Sequence, residues 1–179
     1  MYKRQHLQHP NDSIDEKKRL LVGAAISTHP EDRDRVRALV EREVDVLVID
    51  ASDGHTDYQK DALGWIKSEF DVPVVGGNVV TAAGCEFLAA AGADAVKFQI
   101  FNRDQLLTRK NSYYDEFGEI ELSPEAWGKI LEKVSIEKID LIVEPYDMDS
   151  FDTAEKTGIV DGYKIPTASI GETLSLIHI

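Results

Sequence analysis

The stretch Gly92-Ala-Asp-Ala-Val-Lys-Phe-Gln-Ile100 decides the fold of this chain. It predicts a tight turn and then a buried β-strand over residues 95–100, because a strand that is covered on both faces shows a nearly continuous apolar run. Lys97 and Gln99 interrupt this run at alternate positions, so their side chains point to the same side. A buried lysine at the carboxyl end of a parallel strand is costly unless it meets an anion. The stretch therefore predicts a charged interior site where this strand ends.

Strands and helices alternate on both sides of this stretch. The apolar runs that predict the other strands cover residues 20–26, 44–50, 73–77, 141–144 and 162–165. Such alternation predicts parallel βαβ units, and polar side chains gather after several strands, as at the active-site face of a (β/α)8 barrel. Since a closed barrel usually takes about 250 residues, the sequence predicts an α/β fold, an incomplete (β/α)8 TIM barrel with about six parallel strands. The long polar segment 102–121 predicts a functional or disordered connection.

The composition limits the partners and the compartment that we expect. The chain has 179 residues, a net charge of −13 and one cysteine, Cys85. The negative charge argues against nucleic acid and anionic membranes as partners, and no apolar run approaches the roughly 20 residues of a membrane span. A single cysteine excludes an internal disulfide and fits a reducing cytosol. We therefore expect a cytoplasmic protein whose partner is a small molecule.

Ordered blocks in the first half carry a family resemblance. They are Val22-Gly-Ala-Ala-Ile26 with Thr28-His29, Val46-Leu-Val-Ile-Asp-Ala-Ser52 with Gly54, Trp65-Ile-Lys67, Gly76-Gly-Asn-Val-Val-Thr-Ala82 and Gly92-Ala-Asp-Ala95. Over about residues 15–97 the chain resembles the catalytic barrel of IMP dehydrogenase, an oxidoreductase of purine biosynthesis. The resemblance implies NAD as cofactor and the phosphorylated nucleotide IMP, which is oxidised to XMP, as substrate.

The same resemblance implies roles for individual residues. It puts Asp50 and Ser52 at the NAD site, with Asp50 on a ribose, and Asn78 near the reacting centre. From the residues alone, Asp50 could also cap a helix or turn. Lys97 falls where the family carries a basic residue near substrate and cofactor, and it is the candidate catalytic residue. The glycine-rich loop with the nucleophilic cysteine is missing after Lys97, and Cys85 lies in a predicted helix as a small core residue. Without that thiolate the covalent step cannot run, so we expect no dehydrogenase activity.

Blocks in the second half resemble another family. They are Gly92-Ala-Asp-Ala-Val-Lys-Phe-Gln99, Leu122-Ser123, Glu144-Pro-Tyr-Asp147 and Tyr163-Lys-Ile165. Over about residues 92–169 the chain resembles the N-terminal region of the N-acetylneuraminate (sialic acid) synthase family. That family serves sialic acid biosynthesis by condensing phosphoenolpyruvate with an N-acyl amino sugar, using a divalent metal in a (β/α)8 barrel.

This second resemblance implies an anion site. Lys97 and Lys164 would bind phosphoenolpyruvate, with Gln99 and Thr167 beside them. Two lysines that converge on a phosphate and a carboxylate make sound electrostatics, although Lys164 alone could be a surface lysine that snorkels. Glu144 stands where the family usually has a small hydroxyl residue, and its negative charge should weaken anion binding.

Other features argue against a complete synthase site. Ser169 falls where many members of the family have a catalytic glutamate, and the metal-binding histidines would lie beyond Thr173. The histidines that are present, His55 among them, show no ligand spacing, so we predict no metal site.

Both ends of the chain resemble translated transposase adapter from library preparation. We expect residues 1–5 and 174–179 to be non-native, with a dehydrogenase-like half barrel over 6–97 and a synthase-like half barrel over 92–173. A join within the shared strand fits an assembly or amplification chimera, and it also fits a natural fusion of two half barrels. An open barrel leaves unpaired strand edges, so a non-catalytic fragment that self-associates is a further alternative.

Overall fold

The computed structural model describes residues 13–134 and 139–167. Its strands are β1 (Gly23–Ile26), β2 (Val46–Ile49), β3 (Val74–Val79), β4 (Ala95–Ile100), β5 (Asp140–Pro145) and β6 (Gly162–Tyr163). They form one six-stranded sheet in sequence order, and every neighbouring pair is parallel. The predicted α/β fold with an incomplete barrel is therefore confirmed as a curled half barrel.

Helices follow the strands, as βαβ units require. A short 3-10 turn (Pro30–Asp32) leads into the first of seven α-helices in the described part of the chain. These are α1 (Arg33–Glu41), α2 (Asp57–Glu69), α3 (Ala82–Ala90), α4 (Arg103–Leu106), α5 (Tyr114–Ile120), α6 (Pro124–Val134) and α7 (Met148–Glu155). The side chains of Thr56, Thr81 and Asp147 accept a hydrogen bond from the backbone N–H three residues on, so they act as N-caps of α2, α3 and α7.

The hydrophobic core lies between the sheet and these helices. Leu47 and Ile49 of β2 are fully buried, whereas Val46 and Val48 between them are half-buried on the concave face. The same alternation in β4 puts Val96 and Phe98 in the core, where the Phe98 ring meets Trp127 of α6 edge-on at a centroid distance of 6.1 Å. Lys97 and Gln99 therefore lie on the concave face, as their spacing predicts.

Several predicted boundaries differ from the structure. The first strand was predicted from residue 20, but β1 begins at Gly23 and residues 20–22 are about half exposed. The Asp45 carboxylate accepts the backbone N–H of residue 22, which takes that group out of the strand ladder. The segment 102–121 contains the helices α4 and α5, and Asn102 caps α4 by accepting backbone N–H groups.

The two edge strands, β1 and β6, each have one strand partner among the described residues. Self-association through these edges stays a prediction. Within residues 13–134 and 139–167, no helix is both long and apolar enough to cross a membrane. The adapter-like ends and Ser169 lie outside the residues that the structure describes.

Candidate functional site

Four charged side chains meet on the concave face at the carboxyl ends of the strands. Lys97 Nζ lies 2.7 Å from Asp50 Oδ1 and 3.1 Å from Glu144 Oε2. Lys164 Nζ lies 2.8 Å from Glu144 Oε1 and 3.5 Å from Asp50 Oδ2. Each carboxylate therefore bridges both ammonium groups. These four residues are termed the charge cluster.

The members of the charge cluster differ in burial. Lys97 is 1% exposed and Glu144 2%, whereas the side chains of Asp50 and Lys164 are both 38% exposed. A buried ammonium group has to be paired, and the expectation that Lys97 meets an anion is confirmed. The anions it meets are carboxylates of the protein itself. Two positive and two negative charges thus balance within the charge cluster.

A row of polar side chains extends the charge cluster toward β3. Gln99 Nε2 donates to Glu144 Oε2 at 3.0 Å and to the Tyr146 hydroxyl at 2.8 Å, and Gln99 Oε1 accepts from Asn78 Nδ2 at 2.8 Å. Asn78 Oδ1 is buried and accepts no hydrogen bond from the described residues. An unpaired buried acceptor costs about 1–3 kcal/mol, so a bound donor would be stabilised at this oxygen.

The ion pairs shift the pKa values of their members. Burial acts to raise the pKa of Asp50, but the hydrogen bond and charge of Lys97 outweigh it and lower this pKa. Burial likewise acts to raise the pKa of Glu144, and hydrogen bonds from Lys164, Gln99 and Lys97 lower it overall. For Lys164, burial acts to lower the pKa, and the neighbouring Glu144 raises it above its ordinary value. Each shift favours the charged form.

We expect the charge cluster to lose its stabilising effect at both extremes of pH. The folded-state pKa of Glu144 is lowered, so its contribution is fully present above about pH 4.3 and is lost as the pH falls through that lowered value. The folded-state pKa of Lys164 is raised, so its contribution is present below about pH 10.4 and is lost as the pH rises through the raised value. Urea unfolding across this range measures both limbs. A Glu144→Gln variant should show a shallower acid limb, and an unchanged limb would contradict the assignment.

A buried glutamine that the sequence reasoning missed holds the glycine pair before Asn78. Gln59 of α2 is fully buried; its Nε2 donates to the carbonyl oxygen of Gly77 and its Oε1 accepts from the Gly77 N–H, both at 2.8 Å. A Cβ on Gly77 would lie 2.9 Å from the Cβ of Lys97, so glycine is required where β3 approaches β4. The sequence carries a signal for the burial of this glutamine. Gln59 lies four positions before the buried Leu63, so both side chains lie on the same face of α2.

The structure brings together most of the predicted site residues. Asp50, Asn78, Lys97, Gln99 and Lys164 belong to one connected set of hydrogen bonds and ion pairs. Ser52 and Thr167 are exposed, and within the described residues neither side chain hydrogen-bonds to the charge cluster. Tyr146 joins the set through Gln99, although the sequence reasoning did not single out its hydroxyl.

A cavity of about 530 Å³ opens between the segment that follows β1 and helix α2. Ile26, at the end of β1, lines it together with residues of α1 and α2, and none of the four charge-cluster residues is part of its wall. His29, Tyr58 and Trp65 contribute aromatic rings to its wall. Its volume is within the range of roughly 300–1,000 Å³ that is typical of small-molecule sites.

The described residues do not fit a divalent metal. Within residues 13–134 and 139–167, no three His, Cys, Asp or Glu side chains are grouped so that they could hold an ion. The carboxylates of Asp50 and Glu144 are engaged by lysines. Cys85 is fully buried in α3, where it is part of the hydrophobic core.

Comparison with known proteins finds two families in this chain. The model of the IMP dehydrogenase / GMP reductase domain matches residues 3–102, and the model of the NeuB family matches residues 85–179. The two matches overlap over residues 85–102, and this overlap contains all of β4.

Curated relatives match the first half. The inosine-5'-monophosphate dehydrogenase of Tritrichomonas foetus is 44% identical over 111 residues, which cover 61% of this chain and 22% of that protein. The enzymes of the same name from Aquifex aeolicus strain VF5 and Escherichia coli K12 are 50% and 45% identical over 91 and 92 residues. These matches cover 50% and 51% of this chain and 19% of each relative.

The chain therefore spans about a fifth of the length of the curated relatives it matches. Each of the two family models, in contrast, matches more than half of the 179 residues. The chain belongs to the IMP dehydrogenase / GMP reductase domain family over residues 3–102 and to the NeuB family over residues 85–179.

Proposed function

We propose that this chain is an IMP dehydrogenase-type half barrel that binds NAD and does not oxidise IMP. The observation that carries the proposal is the cavity beside the end of β1, because its aromatic wall and its volume suit an adenine ring. The family match over residues 3–102 covers every residue that lines this cavity.

The cavity wall offers partners for the parts of a dinucleotide. The rings of His29 and Tyr58 supply faces on which an adenine could stack, and Tyr58 is well exposed toward solvent. The Arg33 guanidinium lies 4.8 Å above the Trp65 ring and provides positive charge for a phosphate. NAD, when bound, supplies a hydride acceptor. Asp50 contacts Lys97 and Lys164 with one oxygen each, and the remaining lone pairs of its carboxylate could accept ribose hydroxyls.

The proposed lack of turnover rests on the one cysteine. Attack on a purine carbon needs an accessible thiolate, and Cys85 is fully buried in α3 among apolar side chains. Lys97, the candidate catalytic residue, is itself held by two carboxylates. We therefore propose that the chain retains a cofactor surface without the group that performs the first chemical step.

Calorimetric titration with NAD tests the binding proposal. We expect saturable binding, and a Tyr58→Ala variant should bind about tenfold or more weakly, because stacking of a base on an aromatic ring contributes about 1–3 kcal/mol. Tyr113→Ala is the matched control, since Tyr113 is also exposed and is not part of the cavity wall. Absence of NAD binding, or equal binding by the Tyr58→Ala variant, would overturn the proposal.

Incubation with IMP and NAD tests the proposed inactivity. We expect no increase in absorbance at the wavelength of NADH over hours at high protein concentration. Sustained NADH formation that depends on IMP would contradict this part of the proposal, while the NAD titration would still stand on its own.

A second candidate function, phosphoenolpyruvate binding, is favoured by the convergence of two lysines. Lys97 Nζ and Lys164 Nζ lie 3.1 Å and 2.8 Å from the two carboxylate oxygens of Glu144, so both could contact one small anion. The carboxylates of Asp50 and Glu144 already balance these charges. We therefore rank this function below NAD binding, and a Lys97→Ala variant that binds phosphoenolpyruvate as well as the parent would remove it.

We further propose two half barrels, over residues 6–97 and 92–173, that were joined within β4, and a cytoplasmic location in keeping with the single cysteine. The overlap of the two family matches at β4 supports the join. Amplification across the codon of Lys97 from source DNA distinguishes a natural fusion, which would yield one continuous product, from an assembly chimera, which would yield none.

A further inference from the structure

The carboxylate of Asp50 occupies a position that resembles that of a bound ligand. One of its oxygens lies 2.7 Å from Lys97 Nζ and the other 3.5 Å from Lys164 Nζ. It thus spans the two ammonium groups. Asp50 itself lies in the loop that follows β2. A free carboxylate or a phosphate group could make the same two contacts.

The second carboxylate of the charge cluster is held differently. Glu144 is 2% exposed, it lies within β5, and it accepts an additional hydrogen bond from Gln99. Asp50 is 38% exposed at its side chain, and its carboxylate contacts Lys97 and Lys164. Of the two acids, Asp50 is therefore the one that can leave the lysines and be replaced by a ligand from solvent.

The unpaired oxygen of Asn78 is an independent indication of a ligand in this region. Asn78 is 8% exposed, and its Oδ1 is buried without a hydrogen-bond donor among the described residues. Its amide nitrogen is connected to the charge cluster through Gln99. A ligand that carries a hydroxyl group besides its anionic oxygens, as a monoprotonated phosphate does, could supply the missing donor.

We propose that Asp50 is an internal competitor that occupies an oxyanion site on Lys97 and Lys164, and that its side chain decides whether a phosphate or carboxylate ligand binds there. This inference rests on the second candidate function, anion binding by the lysine pair, and it is independent of the cavity proposed for NAD. Because the contacts of Asp50 and of the ligand are mutually exclusive, removal of the Asp50 charge increases affinity for the anion.

Titration of inorganic phosphate, and separately of phosphoenolpyruvate, into the parent chain and an Asp50→Asn variant tests this inference. We expect Asp50→Asn to bind phosphate about tenfold or more tightly than the parent, since one competing negative charge is gone. Asp53→Asn is the matched control: it removes the same charge from the same loop, where the Asp53 carboxylate accepts a local backbone N–H from His55 and has no hydrogen bond to the charge cluster within the described residues. The double variant Asp50→Asn/Lys164→Met should lose the gain.

The outcomes separate this inference from the proposed functions. Equal phosphate affinity of a folded Asp50→Asn variant and the parent would overturn it, and so would an equal gain in Asp53→Asn. Asp50→Ser, checked for folding by circular dichroism, takes the place of Asp50→Asn if that variant does not fold, with the same expected gain. NAD titration of the parent chain reports on the cavity separately: NAD binding by the parent, without any gain in phosphate affinity in Asp50→Asn, overturns the inference and leaves the NAD proposal standing.

Discussion

Replacement of Lys97 by methionine is expected to lower the free energy of unfolding by about 3–5 kcal/mol, although methionine is the more apolar residue. Lys97 is 1% exposed and lies within 3.1 Å of both Asp50 and Glu144. Without it, the buried Glu144 keeps one ammonium partner, Lys164, which is itself partly exposed. The buried carboxylate of Glu144 then has one partner in place of two, and the charge cluster carries two negative charges and one positive charge, which is strongly destabilising. Urea unfolding followed by circular dichroism measures the loss.

Two variants give this prediction its controls. Lys133→Met removes a lysine from the exposed ion pair with Glu86, whose atoms are 3.9 Å apart, and should change stability by less than about 1 kcal/mol. Lys97→Met/Glu144→Gln removes the buried negative charge as well and should recover a large part of the loss, because one cation, Lys164, then balances one anion, Asp50. A Lys97→Met chain as stable as the parent would show that the charge cluster does not depend on Lys97.

The alternating pattern of β4 predicts the position of Lys97 in the charge cluster, but it does not predict which residues pair with Lys97. Alternation placed Lys97 on the concave face and required an anion there, and both expectations are confirmed. The identity of the anions depends on Asp50 and Glu144, each 47 positions away along the chain. A single sequence indicates that polar groups collect at strand ends, but the pairing depends on register, which sets Lys97 beside Ile142 and Gln99 beside Glu144.

Glu144 has a role in the charge cluster that the family resemblance alone does not predict. Glu144 was predicted to weaken anion binding because of its negative charge, and this effect stays a prediction. The structure adds that the same carboxylate hydrogen-bonds Lys97, Lys164 and Gln99, so it also organises the lysines. A residue that departs from a family pattern can thus repel the family's ligand and hold its binding groups in place.

The position of β4 explains how halves from two families form one sheet. Lys97 pairs in register with Gly77 of β3 on one side and with Ile142 of β5 on the other. The charge cluster likewise combines Asp50, which only the first family model matches, with Glu144 and Lys164, which only the second matches. The ion pairs across this strand therefore connect the two halves.

Replacement of Gln59 by alanine is expected to lower the free energy of unfolding by about 3 kcal/mol, because a buried N–H and a buried carbonyl lose their partners and a cavity is left. Both partners are backbone groups of Gly77, next to Asn78, and Gln59 is fully buried. Urea unfolding measures the loss, and hydrogen exchange of the Gly77 amide should become faster.

Gln59→Glu separates the two hydrogen bonds, since a carboxylate can accept from the Gly77 N–H but cannot donate to its carbonyl oxygen. We expect this variant to lose stability as the pH rises and the buried carboxyl ionises, whereas Gln59→Ala should show no such added pH dependence. Lys60→Ala, at the next and exposed position of α2, is the control for helix propensity and should be nearly neutral. Equal stability of the Gln59→Ala and Lys60→Ala variants would mean that the glycine pair is held in place without the glutamine, and that the close approach of β3 to β4 at Lys97 is enough to position Asn78.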